Sequence, residues 1–259
     1  MSKTAAASTS SVEMETERPI DLKDMTDARV SLGRFGGGLP TRATQSFLLD
    51  HARAREAVWS LVDRDNLANQ LSRIGQPSVM VESLASDRSI YIRRPDLGRQ
   101  LSEASRLRLE QMCGDVPHEV AIIVADGLSA SAVETNAVPL IELLVERLHD
   151  RGLTLAPIVL AQQGRVALGD PIGQAMGATM TIMLIGERPG LSAADSLGAY
   201  ITYAPEAGMP DSKRNCISNI RDGGLNYAVA AQGITDLVHA AYRTRISGVA
   251  LKDAVAKLG

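Results

Sequence analysis

Val120-Ala121-Ile122-Ile123-Val124-Ala125-Asp126-Gly127-Leu128-Ser129 is the stretch on which the fold turns. Its first six residues are apolar at odd and even positions alike, so a strand made from them has no wet face and suits a parallel sheet covered by helices on both sides. The run then stops at Asp-Gly, a turn pair. Comparable apolar runs recur at 155–160 and 179–185, each ending in Gly or polar residues and separated by helical patterns. This alternation predicts an α/β fold: a Rossmann-like, doubly wound, mostly parallel sheet with an N-terminal helical extension.

Between the first two runs, Ser131-Ala132-Val133-Glu134 reads as a capping box opening a helix to Asp150, with Pro139 predicting a kink or a later start. Tyr227, Ala230, Ala231, Ile234, Leu237, Val238 and Ala241 form the stripe of a closing helix. Upstream, Pro95-Asp96 caps a predicted helix at about 97–112, with Leu97, Leu101, Ala104 and Met112 as its stripe. Val79, Val81 and Leu84 alternate with polar residues, and Ile90 and Ile92 do so again, which predicts a small strand pair. Ala43, Phe47, Leu48, Ala54, Val58 and Leu61 recur at helical spacing and give one or two helices from Thr41. The glycines of Leu32-Gly33-Arg34-Phe35-Gly36-Gly37-Gly38 mark a loop. The Ser-, Thr-, Ala- and Glu-rich start reads as a disordered tail over 1–26, followed by a helical region at 27–113 and the α/β domain at 114–259.

Composition narrows the function. With 45% hydrophobic and 22% charged residues the chain has the makeup of a globular protein. The uncharged run Pro171–Gly186 is broken by Gly173 and Gly177 and falls short of the ~20 apolar residues of a membrane span. A net charge of −3 and 3% aromatic residues argue against a phosphate-backbone or base-stacking surface, so nucleic acid is not an expected partner. Cys113 and Cys216 stand far apart without a CxxC pair or an export signal, which points to a reducing cytoplasm. His51, His118, His149 and His239 have no second ligand at metal-binding spacing, and no metal site is expected.

In open α/β sheets ligands bind beyond the carboxyl ends of the strands. The loops to weigh are Asp126–Ser129, Gln163-Gly164-Arg165-Val166 and Gly186-Glu187-Arg188-Pro189-Gly190, with Asn215-Cys216-Ile217-Ser218-Asn219-Ile220 as a fourth. Asp126 is a ligand contact or the first residue of a turn. Ser129 lacks a GxSxG setting, which favours helix capping over nucleophilic chemistry. Glu187 is a hydrogen-bond acceptor for a ligand or a loop acid paired with Arg188. Cys216 is a reactive thiol or, by the generic tendency of cysteine, a small buried residue. Val166 by itself reads as packing. The glycines match neither GxGxxG nor GxxxxGK[ST], so a dinucleotide or P-loop site gains little. The residues alone thus give a ligand-binding α/β domain with no self-contained catalytic set.

Taken together, the motifs resemble the light chain of ethanolamine ammonia-lyase. The resemblance runs from about Asp27 to Gly248 and rests on Leu32-Gly33-Arg34 with Leu39-Pro40-Thr41, His51-Ala52-Arg53-Ala54-Arg55, Arg94-Pro95-Asp96-Leu97-Gly98-Arg99, Asp126-Gly127-Leu128-Ser129, Gly186-Glu187-Arg188-Pro189-Gly190-Leu191 and Cys216-Ile217-Ser218-Asn219-Ile220. It implies a subunit of an adenosylcobalamin-dependent lyase that converts ethanolamine to acetaldehyde and ammonia. The large subunit carries the substrate and radical chemistry, and this chain alone is inactive. The resemblance assigns cobalamin contacts to Val166, Glu187 and Cys216, no catalytic residue, cobalamin binding to the 114–259 domain and partner contact to 27–113. It also implies base-on cobalamin, consistent with the lack of a DxHxxG signature: two residues before each histidine stand Leu49, Val116, Arg147 and Leu237. Some family members begin with an amphipathic helix that directs them into a microcompartment; the start here lacks such a stripe, so a free cytoplasmic enzyme is expected. The competing readings are a nucleotide- or small-ligand-binding regulatory module and a purely structural subunit.

Overall fold

The computed structural model describes residues 36–113 and 118–256, together with 22, 25, 26, 29, 30 and 32–34. The tail expected over 1–26 therefore lies outside the described residues except for Leu22, Met25 and Thr26. Two units divide the chain, Met1–Gln45 and Ser46–Gly259. In the first, the described residues include a turn at Gly36-Gly37 and the start of helix α1 (Thr41–Trp59).

The second unit continues with α2 (Arg64–Arg73), β1 (Ser78–Glu82), α3 (Arg88–Arg93), α4 (Glu103–Cys113), β2 (His118–Ala125), α5 (Ala130–Asp150), β3 (Ile158–Gln162), α6 (Gly169–Ala175), β4 (Ala178–Gly186), β5 (Leu197–Tyr203), β6 (Arg214–Ile220), α7 (Tyr227–Thr244) and α8 (Leu251–Ala256). Short 3-10 turns at Leu97–Arg99 and Val166–Leu168 precede α4 and α6.

The six strands form one sheet in the order β1-β3-β2-β4-β5-β6. β1, β3, β2 and β4 run parallel, whereas β5 and β6 are antiparallel to their neighbours, so the α/β sheet is mixed rather than the mostly parallel, doubly wound sheet expected. The apolar runs explain the parallel half. In β2, Val120, Ile122 and Val124 face a core built with α2, α5 and α7, while Ala121, Ile123 and Ala125 face a second core built with α4 and α6. A strand covered on both faces cannot alternate with polar residues. The chain leaves β2 for β3 on one side and returns from β3 to β4 on the other, so a crevice opens at the carboxyl ends of β2 and β4.

Several local expectations are corrected. Ile90 and Ile92 belong to α3: Asp87 accepts the Ile90 amide as N-cap, and the helix buries Arg88 and Tyr91, a polar and an amphipathic residue that no apolar pattern marks. The helix expected at 97–112 is a 3-10 turn followed by α4, separated by extended Gln100. α5 starts at Ser129 rather than Ser131, because the Ser129 side chain accepts the Ala132 amide, and it continues through Pro139. Segment 215–220, read as a loop, lies in β6.

β6 is an edge strand fastened by a buried ion pair. Arg214 donates to both carboxylate oxygens of Asp170 in α6, at 2.6 and 2.8 Å. Their side chains are 3% and 1% exposed, so neither charge has water as an alternative partner. Arg214→Met should strand the Asp170 carboxylate and lower stability by about 3–5 kcal/mol in urea unfolding.

Candidate functional site

At the switch between β2 and β4 the backbones approach so closely that only glycine fits. A Cβ on Gly127, whose φ is +56°, would lie 2.1 Å from the Gly186 carbonyl oxygen, and one on Gly186 would lie 2.1 Å from that of Ser129. The Leu128 amide donates to Gly186 O at 2.9 Å and fixes the approach. Ser129 is fully buried, capping α5 and donating to Ala194 O at 2.6 Å, so it has no access to a substrate. Gly127 and Gly186 thus serve to bring two strand ends together.

Asp126 ties in the third loop. One carboxylate oxygen accepts the amides of Gly127 and Gly164, each at 3.0 Å, and the other accepts Arg88 Nη1 at 3.1 Å. Burial pushes its carboxyl above the ordinary carboxylate range, against the pull of Arg88 and of these amides. With a side-chain exposure of 3%, Asp126 holds loops and meets no ligand.

Together the three loops line a cleft of about 450 Å³, whose walls include Leu128, Arg165, Val166, Glu187, Arg188 and Tyr200. Val166 and Glu187, singled out in sequence, therefore share one cavity. Glu187 does not pair with Arg188. Its Oε2 accepts the Ser196 hydroxyl at 2.5 Å and the Asn219 amide at 3.2 Å, joining the β4–β5 loop to the end of β6. The carboxylate lies over Gly198, where a Cβ would come within 2.9 Å of Oε1.

Cys216 is outside the cleft wall but is the register partner of Tyr200, which is in it. As cross-strand register partners the two side chains are neighbours. Burial pushes the Tyr200 phenol up, with Cys216 and Glu187 adding to the shift. Partial desolvation on the Tyr200 side raises the Cys216 thiol, although the residue as a whole is exposed. The generic expectation of a buried residue fails for Cys216, which is exposed on the edge strand β6.

Tyr91, Tyr200 and Arg165 escaped the sequence reading. Tyr200 sits in a strand without an apolar run, and Tyr91 in a helix that looked like a strand. Arg165 alone carried a readable signal, since it lies in a loop already marked as a strand-end loop. Among the described residues no histidine lines the cleft. The arrangement offers an apolar floor of Val166, Ile185 and Tyr200, a carboxylate acceptor, and the guanidinium groups of Arg165 and Arg188 at the wall. This is equipment for holding a ligand.

A family model described as "Ethanolamine ammonia-lyase light chain (EutC)" matches residues 17–252. The ethanolamine ammonia-lyase small subunit of Pseudomonas putida (strain GB-1) is 51% identical over 234 residues, covering 90% of this chain and 86% of its own. That of Azotobacter vinelandii (strain DJ / ATCC BAA-1303) is 50% identical over 241 residues, covering 92% and 89%. That of Pseudomonas fluorescens (strain SBW25) is 46% identical over 236 residues, covering 90% and 85%.

Proposed function

The chain belongs to the ethanolamine ammonia-lyase light-chain family, and from that membership we propose that it is the small subunit of an adenosylcobalamin-dependent lyase acting on ethanolamine. A large subunit carries the substrate and radical chemistry, and this chain closes one side of the cofactor site. It has no catalytic residue of its own and is inactive alone. The assembly works as a free cytoplasmic enzyme.

The observation that carries the reading is the meeting of Val166 and Glu187 in one cleft, with Cys216 as the cross-strand partner of Tyr200 in its wall. A corrin is a broad apolar ring edged with amide side chains. The floor of Val166, Ile185 and Tyr200 suits the ring, and Glu187 suits an amide donor: its Oε2 is engaged, while Oε1 has no hydrogen bond among the described residues. The residues present therefore fit the group. A cleft of about 450 Å³ encloses only part of so large a molecule, which gives the partner subunit its place. A nucleotide-binding regulatory role draws less support, because Gly127 and Gly186 are occupied by each other's loops rather than shaped for phosphate.

When bound, the cofactor supplies a cobalt–carbon bond whose homolysis starts hydrogen abstraction from ethanolamine. The work of this chain is to bind, orient and exclude water. Val166 and Tyr200 would cover apolar surface of the group, Glu187 would accept a hydrogen bond from one of its edge amides, and the exposed guanidinium of Arg188 stands at the rim. Titration of the co-purified complex with cyanocobalamin, followed by the bound corrin spectrum, should show Glu187→Ala weakening affinity about tenfold. That is the equivalent of the ~1.5 kcal/mol of a hydrogen bond to a charged group; unchanged affinity would favour a purely structural subunit.

The cofactor binds base-on, with its own dimethylbenzimidazole on cobalt. Supporting this, no histidine in the sequence follows the DxHxxG pattern, and among the described residues none lines the cleft. The EPR spectrum of the cob(II)alamin complex should keep the nitrogen coupling of dimethylbenzimidazole when the protein's histidines are ¹⁵N-labelled; a change in that coupling would reject base-on binding.

A further inference from the structure

Tyr91 is fully buried, among the largest side chains in the chain with no exposure, and a buried phenol must find a partner. It donates to the Gly164 carbonyl at 2.9 Å. Its ring lies between two guanidinium groups, with Arg165 Cζ 4.1 Å and Arg88 Cζ 4.8 Å from the centroid. Such stacking attracts a cation to the ring face and leaves the guanidinium edge available for hydrogen bonds. Arg165 uses one edge, donating from Nη2 to the Tyr91 carbonyl at 3.1 Å.

The loop that Tyr91 grips is held at every successive backbone group. Gln163 O accepts the Ser83 hydroxyl at 2.9 Å, Gly164 N donates to Asp126 at 3.0 Å, Gly164 O accepts Tyr91, and Arg165 N donates to Gly98 O at 2.8 Å. Gln163 itself has φ +53°, a left-handed conformation that a residue with a Cβ adopts only when its surroundings enforce it. The enforcing atoms come from the segment 83–98 and from Asp126, none of which lies in the loop. A Cβ on Gly98 would meet Gln163 O and Arg165 Cγ at 3.0 Å, close enough to press on the clamped loop. The next residue after this clamped stretch is Val166.

We propose that Tyr91 is a positioning residue for the cofactor cleft: its hydroxyl and its stacked ring fix the 163–165 backbone and so set where Val166 and the Arg165 guanidinium stand. The Arg94-Pro95-Asp96-Leu97-Gly98-Arg99 motif shares the task, since Gly98 supplies the carbonyl that ends the clamp. Tyr91 borders the cleft but has no exposed surface, so it acts through the loop it holds.

This inference rests on the cobalamin reading of the cleft, and the two fail differently. The assay is the dissociation constant of cyanocobalamin for the co-purified complex, measured on equal amounts of assembled protein so that lost assembly does not count as lost affinity. Tyr91→Phe keeps the stacked ring and removes the hydroxyl; it should weaken cyanocobalamin about 5–10-fold and speed amide exchange at Gly164 and Arg165 more than in β2. Leu148→Ala, a cavity in the core on the other face of the sheet near the C-terminal end of α5, is the control for general destabilisation and should leave the dissociation constant unchanged. If Glu187→Ala weakens binding while Tyr91→Phe does not, or if Leu148→Ala weakens it as much as Tyr91→Phe, the positioning role is overturned. If neither Glu187→Ala nor Tyr91→Phe has an effect, the cleft is not the cobalamin site and both readings fall. Should Tyr91→Phe fail to assemble, Gly98→Ala addresses the same clamp from its other end, and an unchanged dissociation constant there overturns the proposal.

Discussion

One buried carboxylate organises the cleft. Asp126 stands at the end of β2 and receives donors from its own loop, from the loop after β3 and from α3, through Gly127, Gly164 and Arg88. Removing a carboxylate from water is costly, and the cost is offset only when the oxygens find donors of good geometry. Arg88 is equally dependent, because its guanidinium is buried and Asp126 is its only acidic partner among the described residues. The two charges are locked to each other, and the loops they touch are locked with them. Gly127 and Gly186 then bring the β4 loop in, so Leu128, Val166 and Glu187 converge though they are distant in sequence.

The chemistry of the resulting surface follows from what it lacks as much as from what it holds. Its titratable groups are tyrosines, one carboxylate engaged through one oxygen and two guanidinium groups, none of which forms an acid–base pair. Such a wall recognises a ligand by shape and by a few polar contacts. Family membership supplies the ligand's identity as a proposal, and the partial enclosure of the cleft agrees with a site completed by a second polypeptide. Val166, Glu187, Arg188 and Tyr200 present exposed or half-buried surface to the cleft, while Asp126 and Arg88 behind them are buried and Tyr91 borders it without exposure.

Much of this was legible in sequence where burial on two faces leaves an apolar run. β2 and β4 stand where their runs predicted, β3 begins three residues later than its run, and α7 follows its stripe. Ser129 as a helix cap was also readable, because capping needs only local chemistry. The edge of the sheet was not. β5 and β6 contain Gly198, Thr202, Asn215, Ser218 and Asn219, since β6 has one neighbour and one solvent-facing side. For that reason Cys216 read as a loop residue and then as a buried one, and Tyr200 was not seen at all. α3 was hidden for the opposite reason. Its buried positions are Arg88 and Tyr91, three apart as in a helix, but neither registers in an apolar pattern, and the visible Ile90 and Ile92 mimic a strand.

The central claim is that the carboxyl ends of β2, β3 and β4, together with the open face at the sheet edge, form half of a corrin socket. A cryo-EM map of the large and small subunits assembled with cyanocobalamin tests it directly. The account predicts corrin atoms in van der Waals contact with Val166 and with the Tyr200–Cys216 pair, and a corrin amide within hydrogen-bonding distance of Glu187 Oε1. A map in which the corrin lies away from all of Val166, Glu187 and Cys216 would contradict it.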